Sequence, residues 1–330
     1  MQEATSIDPP KARGQLADYL AIARFGHSTK HVFIIPGAVL ALLLRGLQTE
    51  LPGLQIILGL VAAVSIASAN YTINEWFDRD FDKHHPTKSS RSAVQRTLQG
   101  RFVLCAWLFY VVVGAGSALM ASPTMFVIAC AFALQGVVYN VPPLRSKDKP
   151  YLDVISEAVN NPIRLMIGWA MVDPTTLPPS SLLLAYWLGG AFLMGAKRLS
   201  EYREIVASHG VELLARYRAS FRRYTEASLQ VSCFAYGMLS SFFLAVFLIK
   251  YRVEYLLLMP VITFLFAYYL ALAMRAGSVA QNPEKLFREP GLVALVVLLT
   301  GMFGLTSLVD IPVISHLRDQ EFIILPEGTF

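Results

Sequence analysis

Asn70, Asn74, Asp78 and Asp82 stand four residues apart in the stretch NYTINEWFDRDFDKHHPTKSSR, and Lys88 and Arg91 follow them closely. Residues at i, i+4 and i+8 of an α-helix drift by only about 40° per step, so the four share one face. Two carboxylates and an amide converging there offer hard oxygen donors. That set suits Mg²⁺, which binds through one or two carboxylates together with substrate phosphates. Lys88 and Arg91 supply cations for the remaining phosphate charge. The stretch reads as a seat for a diphosphate–magnesium complex. The competing reading is that Asp78 and Asp82, just past an apolar run, are merely solvated. Asn70 and Asn74 weigh against it, because amides inside a membrane span need partners or a task. Asp80, beside Arg79, is read as solvated, and the loop pair His84–His85 as no metal site.

A second polar cluster occupies YNVPPLRSKDKPYLDVISEAVNNPIRL, which begins at Tyr139. Arg145, Lys147 and Lys149 fill its loop. Asp153, Glu157, Asn160 or Asn161, and Arg164 then recur at three- and four-residue spacing. An arginine two or three turns into a span costs roughly 2.5–3.5 kcal/mol on insertion scales. Either Glu157 and Arg164 are structural glue between neighbouring helices, or the cluster lines a polar cavity. A third cluster, GAKRLSEYREI, carries Lys197, Arg198, Glu201 and Glu204. Lys197 and Glu201 have the spacing of an ordinary helix ion pair on a solvated face. The basic, aromatic RYRASFRRYTEAS downstream reads as a contact with anionic lipid headgroups.

These clusters must be positioned by membrane helices. Of the 330 residues, 55% are hydrophobic and only 15% charged, against about 25% charged in a soluble domain. The apolar residues come in blocks long enough to cross a bilayer, for which about 20 suffice. The chain is therefore expected to be an all-α polytopic membrane protein. Nine spans are predicted, near 31–47, 54–77, 102–121, 124–141, 151–172, 181–200, 227–249, 254–274 and 291–309. Before them lies a segment 1–30 without a removable signal peptide, in which QLADYLAIARF forms an interfacial helix. A tail of 310–330 follows. Cys105, Cys130 and Cys233 all fall in apolar runs and read as buried small hydrophobes.

Lys and Arg are retained on the cytoplasmic side. With the N-terminus inside, 23 basic residues fall on that side and four on the other, which puts the C-terminus outside. The net charge of +5 is accounted for by these loops, without nucleic acid. The acidic stripe and the richest basic loops then face the same compartment.

The residues also resemble a family. Asn74-Glu-Trp-Phe-Asp78-Arg-Asp-Phe-Asp82 resembles the first aspartate-rich motif, N-D-x-x-D-x-x-x-D, of the UbiA superfamily of intramembrane transferases, with Glu75 in place of its first Asp. Pro86, Lys88 and Arg91 match that family's P-x-K-x-x-R continuation. YNVPPLRSKDKPYLDV is similar to its Y-S-x-P-P-x-R-x-K segment, with Asn140 in place of Ser. The resemblance implies nine helices in a bundle open to the cytoplasm, and a Mg²⁺-held diphosphate that leaves as its carbon passes to an acceptor. It implies that Asp78 and Asp82, assisted by Asn74, carry metal. Lys88, Arg91, Arg145 and Lys147 would hold phosphates, with Lys197 and Arg198 beside them, and Tyr139 would stand near the developing cation. Asn70, Asp153, Glu157, Asn161, Arg164 and Glu201 would line the polar cavity.

One departure concerns the donor. The family's prenyltransferases carry a second aspartate-rich motif after the sixth helix, where this chain has GAKRLSEYREI. A K-R-x-x-E pattern there is similar to the decaprenyl-phosphate phosphoribosyltransferase branch, and RAGSVAQNPEKLFREP is compared with an acidic loop of that branch. Two donors therefore stand: an isoprenyl diphosphate, with an aromatic or lipid acceptor, or phosphoribosyl diphosphate, with a polyprenyl phosphate acceptor. Outside the resemblance, a transporter is the rival reading. It predicts matching broken helices in two halves, and Asn70–Asp82 has no echo in the second half. The expected location is a bacterial inner membrane.

Overall fold

The structure, a computed structural model, describes residues 12–315 apart from 27, 46–52, 84–87, 276, 279, 281–285 and 287. His84, His85, Pro86, most of the 310–330 tail and part of RAGSVAQNPEKLFREP lie outside the described residues.

Long apolar runs satisfy their backbone polar groups internally when helical, which makes helix the natural solution in lipid. Apart from one isolated bridge between Arg13 and Thr97, the regular structure described is helical. The helices are α1 (Leu16–Ala21), α2 (Ile35–Arg45), α3 (Gly53–Asp82), α4 (Ser92–Gln95), α5 (Gly100–Ala121), α6 (Pro123–Asn140) and α7 (Leu152–Ala158). They continue with α8 (Asn160–Val172), α9 (Ser180–His209), α10 (Val211–Tyr217), α11 (Glu226–Tyr251), α12 (Met259–Ala273), α13 (Pro290–Leu308) and α14 (Pro312–Ser315).

Among the described residues six stretches are long and apolar enough to cross a membrane: α3, α5, α6, α11, Val253–Ala273 and α13. The other three predicted spans fall on helix of a different kind. The first contains only the 11-residue α2, preceded by a 3₁₀ segment, Ser28–Ile34. The fifth is broken into α7 and α8 at Val159. Pro162 explains the break, since it has no N–H to offer the carbonyl of Ala158 four residues back. The sixth, α9, runs well past the predicted end at 200 and carries Lys197, Arg198 and Glu201 on one continuous helix.

α3 packs on α5, α6 and α8, and α9 packs on α11, α7 and α12. Ala63, Ile66, Phe132, Ile167 and Met171 form the core of the first group, and Ala191, Phe192, Cys233 and Tyr269 that of the second. α2 and α8 approach so closely that a Cβ on Gly168 would lie 2.0 Å from the Ile34 carbonyl oxygen, so only glycine serves there. Outward faces are apolar: Phe109, Val112, Phe234, Phe242 and Phe264 are all exposed. Cys105 and Cys130 lie exposed on α5 and α6, and only Cys233 is buried. This corrects the expectation for two of them, because a lipid-facing surface accepts the same apolar side chains as a core. In the predicted interfacial segment, α1 exposes Leu16 and Leu20 while Ile22 and Ala23 just beyond it are buried.

One loop is tied down from several directions. Asp173 follows α8, and its carboxylate accepts from Arg45 Nε (2.8 Å), Thr175 Oγ1 (2.5 Å) and Thr176 Oγ1 (2.6 Å). Burial pushes this carboxyl up, but the hydrogen bonds outweigh it and hold it below the ordinary carboxylate range. Its contribution to stability is thus present above about pH 4 and is lost as pH falls through the depressed value. Asp173→Ala is expected to cost about 1–3 kcal/mol, read as a lower melting temperature at pH 7 than the wild type, with the gap closing in acid.

Candidate functional site

A cavity of about 500 Å³ lies between the α3–α6–α8 and α9–α13 sides of the bundle. The four-residue stripe of α3 does what its spacing predicts: Asn70, Asn74, Asp78 and Asp82 all line it. So do Lys88, Arg91, Tyr139, Glu157, Asn161, Arg164, Lys197, Arg198 and Glu201. Glu157 of α7 and Asn161 of α8, four residues apart, both face this space.

The carboxylates are held rather than loose. Asp78 Oδ1 accepts from Lys147 Nζ at 2.6 Å and Arg145 Nη2 at 3.0 Å. Asp82 Oδ2 accepts from Arg91 Nη1 at 2.6 Å. Asn74 donates its Nδ2 to Asn140 Oδ1 at 2.6 Å. These bonds leave Asp78 Oδ2, Asp82 Oδ1 and Asn74 Oδ1 outside them. Glu75, the departure from the family motif, does not line the cavity. It is buried against Arg24, with Arg91 Nε 3.8 Å away. One residue's rotation on α3 puts it behind the stripe, where its carboxylate positions two cations.

Two expectations are corrected, those for Asp153 and for the RYRASFRRYTEAS run, while the phosphate-holding role of Arg145 and Lys147 stays a proposal. Arg145 and Lys147 do not line the large cavity. Their charges are spent on Asp78, and Arg145 also bonds Asp148 Oδ2 at 2.7 Å and the carbonyls of Phe77 and Asn140. They border a smaller pocket of about 30 Å³ behind it. Arg145 takes a positive φ of 24°, a conformation costing of order 1 kcal/mol or more that these bonds over-determine. Asp153 is fully buried and not a cavity wall. It accepts from Tyr224 OH (2.6 Å) and Ser220 Oγ (3.0 Å), with Arg198 and Arg218 each at 3.4 Å. Leading the first turn of α7, it faces the 219–223 segment rather than the cavity. Finally, Arg218 in RYRASFRRYTEAS lines the cavity instead of facing lipid. Its Nη2 donates to Tyr139 OH at 3.1 Å. A basic run far from the motifs gave no sign of this; the tertiary fold alone turns Arg218 inward.

Arg198 joins three carboxylates: Glu201 at 2.9 Å, Glu157 at 3.1 Å and Asp153 at 3.4 Å. Tyr139 OH donates to Glu157 Oε2 at 2.8 Å. Glu157 is therefore not bridged to Arg164. In the loops, burial pulls the Lys88 ammonium down to about 8, against the opposing pull of Glu201 and Asp82. Burial likewise lowers Lys147 to about 8 although Asp78 supports its charge. Burial and Arg198 oppose the charge on Arg218, but Tyr139, Asp153 and Glu157 prevail and hold it above the ordinary value.

Among the described residues no three His, Cys, Asp or Glu side chains form a metal site by themselves. The donor set still fits Mg²⁺. Asp78 and Asp82 are two hard carboxylates beside a cluster of cations, and Mg²⁺ is commonly bound by one or two carboxylates completed by phosphate oxygens.

The model of the UbiA prenyltransferase family matches residues 33–289. The chain belongs to this family. It is 30% identical over 159 residues to a lycopene elongase/hydratase of Haloarcula japonica, covering 47% of this chain and 51% of that protein. It is 26% identical over 208 residues to a protoheme IX farnesyltransferase of Bacillus mycoides, covering 61% of this chain and 66% of that protein. The chain thus spans between about half and two-thirds of these relatives' lengths. Among solved structures, a UbiA homolog from Archaeoglobus fulgidus bound to DMAPP and Mg²⁺ superposes with a TM-score of 0.64 at 19% identity. That match covers 88% of this chain and all of the other. A digeranylgeranylglyceryl phosphate synthase structure superposes with a TM-score of 0.56 at 15% identity, covering 89% of this chain and 96% of that one. Six apolar helices and family membership make the chain an integral membrane protein. Membership also displaces the transporter reading, and the phosphoribosyl donor finds no support among these relatives.

Proposed function

We propose that this protein is a Mg²⁺-dependent prenyltransferase that passes an isoprenyl group from its diphosphate to an aromatic or lipid acceptor. The supporting observation is the cavity's division into two chemistries. One end carries Asp78 and Asp82 facing Lys88, Arg91, Lys197 and Arg218. The other walls include Leu193, Met194, Leu292, Val293, Val296 and Val297. A diphosphate head suits the first and an isoprenoid tail the second. The matching family is one of prenyltransferases, a relative is a farnesyltransferase, and the Archaeoglobus homolog binds DMAPP with Mg²⁺.

In this reading Asp78, Asp82 and Asn74 hold the metal, which when bound would neutralise the diphosphate and assist its departure. Lys88, Arg91, Lys197 and Arg218 stabilise charge developing on the leaving oxygens. Arg145 and Lys147 act through Asp78, fixing its carboxylate. The C1–O bond of the donor breaks, pyrophosphate keeps the electron pair, and C1 bonds to the acceptor. The acceptor's displaced proton leaves with pyrophosphate or water. Tyr139, held by Glu157 and Arg218, presents its ring near the cation formed at C1. The excess of basic loop residues supports a charged mouth on the cytoplasmic side, and a bacterial inner membrane is the location proposed.

Detergent-solubilised protein should convert geranyl diphosphate and membrane lipid extract, with Mg²⁺, into pyrophosphate and a product heavier by one prenyl unit. Turnover of phosphoribosyl diphosphate instead would overturn the assignment. Protonated Lys88 favours the anionic donor, so kcat/KM for that donor should fall as pH rises through about 8. Lys88→Arg should move that fall to higher pH; a pH profile unchanged by the substitution would remove Lys88 from donor binding.

A further inference from the structure

Asp153 takes no part in the reaction above, yet it is fully buried in the first turn of α7. A buried carboxylate is tolerated only when it is paired and hydrogen-bonded. Its Oδ1 accepts from Tyr224 OH at 2.6 Å, and its Oδ2 from Ser220 Oγ at 3.0 Å and Arg198 Nε at 3.4 Å. Nη2 of Arg218 stands 3.4 Å from the same Oδ2. Three pieces of chain therefore converge on one side chain: α7, α9 and the 218–224 segment between α10 and α11.

Two of these four partners, Arg198 and Arg218, line the cavity. The other two hold the segment that carries Arg218. Ser220 Oγ donates to Asp153 while accepting from Arg218 Nε at 3.1 Å. Tyr224 OH donates to Asp153 while accepting from the Tyr151 N–H at 2.6 Å, and the two rings meet edge to face at 5.3 Å. Nη2 of Arg218 also donates to Tyr139 OH at 3.1 Å. Ser220, Tyr139 and Asp153 thus set the plane of the guanidinium, and Nη1 lies outside these bonds. An arginine fixed in this way loses little further freedom when it meets an anion. Tying down a loop would not by itself call for a charge, because well-packed apolar side chains do that as well as a buried ion pair. What the carboxylate adds is electrostatic. Arg198 and Arg218 repel one another, and Asp153 supports the charge of Arg218 against that repulsion and against burial.

We infer that Asp153 is a positioning residue for donor binding: it holds Arg218 in the cavity wall, oriented for the donor's diphosphate. The inference rests on the prenyl-transfer reading for the identity of that donor. Asp153 is not a lining residue of the cavity, so it touches neither donor nor metal. Its effect runs through Ser220 and the shared Oδ2 to Arg218. Neutralising it removes the counter-charge between two guanidiniums and loosens the 218–224 segment, and Arg218 is then no longer fixed. The stripe on α3 depends on other bonds, Asp78 on Lys147 and Arg145, and Asp82 on Arg91. Donor affinity therefore falls while the response to Mg²⁺ persists.

The test is equilibrium binding of the unreactive geranyl thiolodiphosphate, with Mg²⁺, to detergent-solubilised full-length protein. Arg218→Met should weaken it about tenfold, and Asp153→Asn by a similar factor, the scale of a hydrogen bond to a charged group. In the Arg218→Met background Asp153→Asn should cost less than about a further twofold, because both changes act on one interaction. In turnover of geranyl diphosphate, Asp153→Asn should raise the donor's KM and leave kcat within about threefold. Ser220→Ala is the milder variant, used where Asp153→Asn does not fold. It should weaken binding about two- to fivefold at a melting temperature close to that of the wild type. Unchanged affinity in either of these variants would overturn the inference. So would a loss from Asp153→Asn that is just as large in the Arg218→Met background, the mark of a purely structural residue. Inorganic pyrophosphate with Mg²⁺ is the second probe. Binding of pyrophosphate with the Asp153–Arg218 coupling intact, while geranyl thiolodiphosphate does not bind, would sink the prenyl donor and leave the role of Asp153 standing.

Discussion

Asp78→Asn is expected to lower Mg²⁺-dependent pyrophosphate release by roughly 10²–10³-fold, the scale on which single preorganised electrostatic groups act. Two effects combine. The substitution removes one of the two carboxylates assigned to the metal. It also strips the counter-charge from Lys147 and Arg145, which lie 2.6 and 3.0 Å from Oδ1. Asp82→Asn separates the two, because among the described residues it pairs with Arg91 and not with the 145–148 loop. If metal binding dominates, both variants lose activity about equally and excess Mg²⁺ restores part of it. If Asp78 acts mainly by ordering the 145–148 loop, Asp78→Asn alone melts at lower temperature and Mg²⁺ does not help. Activity within threefold of wild type in both variants would remove the stripe from the chemistry.

Arg198→Met is expected to destabilise the protein by about 3–5 kcal/mol, the cost of breaking a buried ion cluster by removing one sign. Asp153, Glu157 and Glu201 would face one another across α7 and α9 with their shared cation gone. Asp153 keeps Tyr224 and Ser220 as donors, so the repulsion falls chiefly on Glu157 and Glu201. Adding Glu201→Gln to Arg198→Met should therefore recover a measurable part of the loss in thermal or denaturant unfolding. An Arg198→Met variant as stable as wild type would show that the cluster is solvated and that its compact geometry carries no weight.

The contrast between these two sites shows what the sequence made legible. The α3 stripe was readable because helical period alone brings Asn70, Asn74, Asp78 and Asp82 to one face, and no tertiary knowledge is needed. The apolar runs likewise marked the helices. What stayed hidden depends on where loops fold back. Arg145 and Lys147 match a phosphate-binding pattern in the chain, yet they stand behind Asp78 because the 141–151 turn folds under the end of α3. Asp153 has the spacing of a cavity residue but points to Tyr224, seventy-one positions away. Arg218 sits in a basic run like any lipid-facing loop, and only the return of 218–224 toward Asp153 and Tyr139 makes it part of the cavity wall. The apolar run of the fifth span reads as continuous, and only Pro162 within it carries the signal that it breaks.

The central claim is that the charged end of the cavity seats a diphosphate together with Mg²⁺, neither completing the site alone. The direct measurement is calorimetric titration of the solubilised protein with geranyl thiolodiphosphate, with and without Mg²⁺, and with Mg²⁺ alone. The account predicts at least tenfold tighter binding of the diphosphate when Mg²⁺ is present, and no saturable Mg²⁺ binding in the low millimolar range without it. Diphosphate binding indifferent to Mg²⁺, or Mg²⁺ binding tightly by itself, would contradict it.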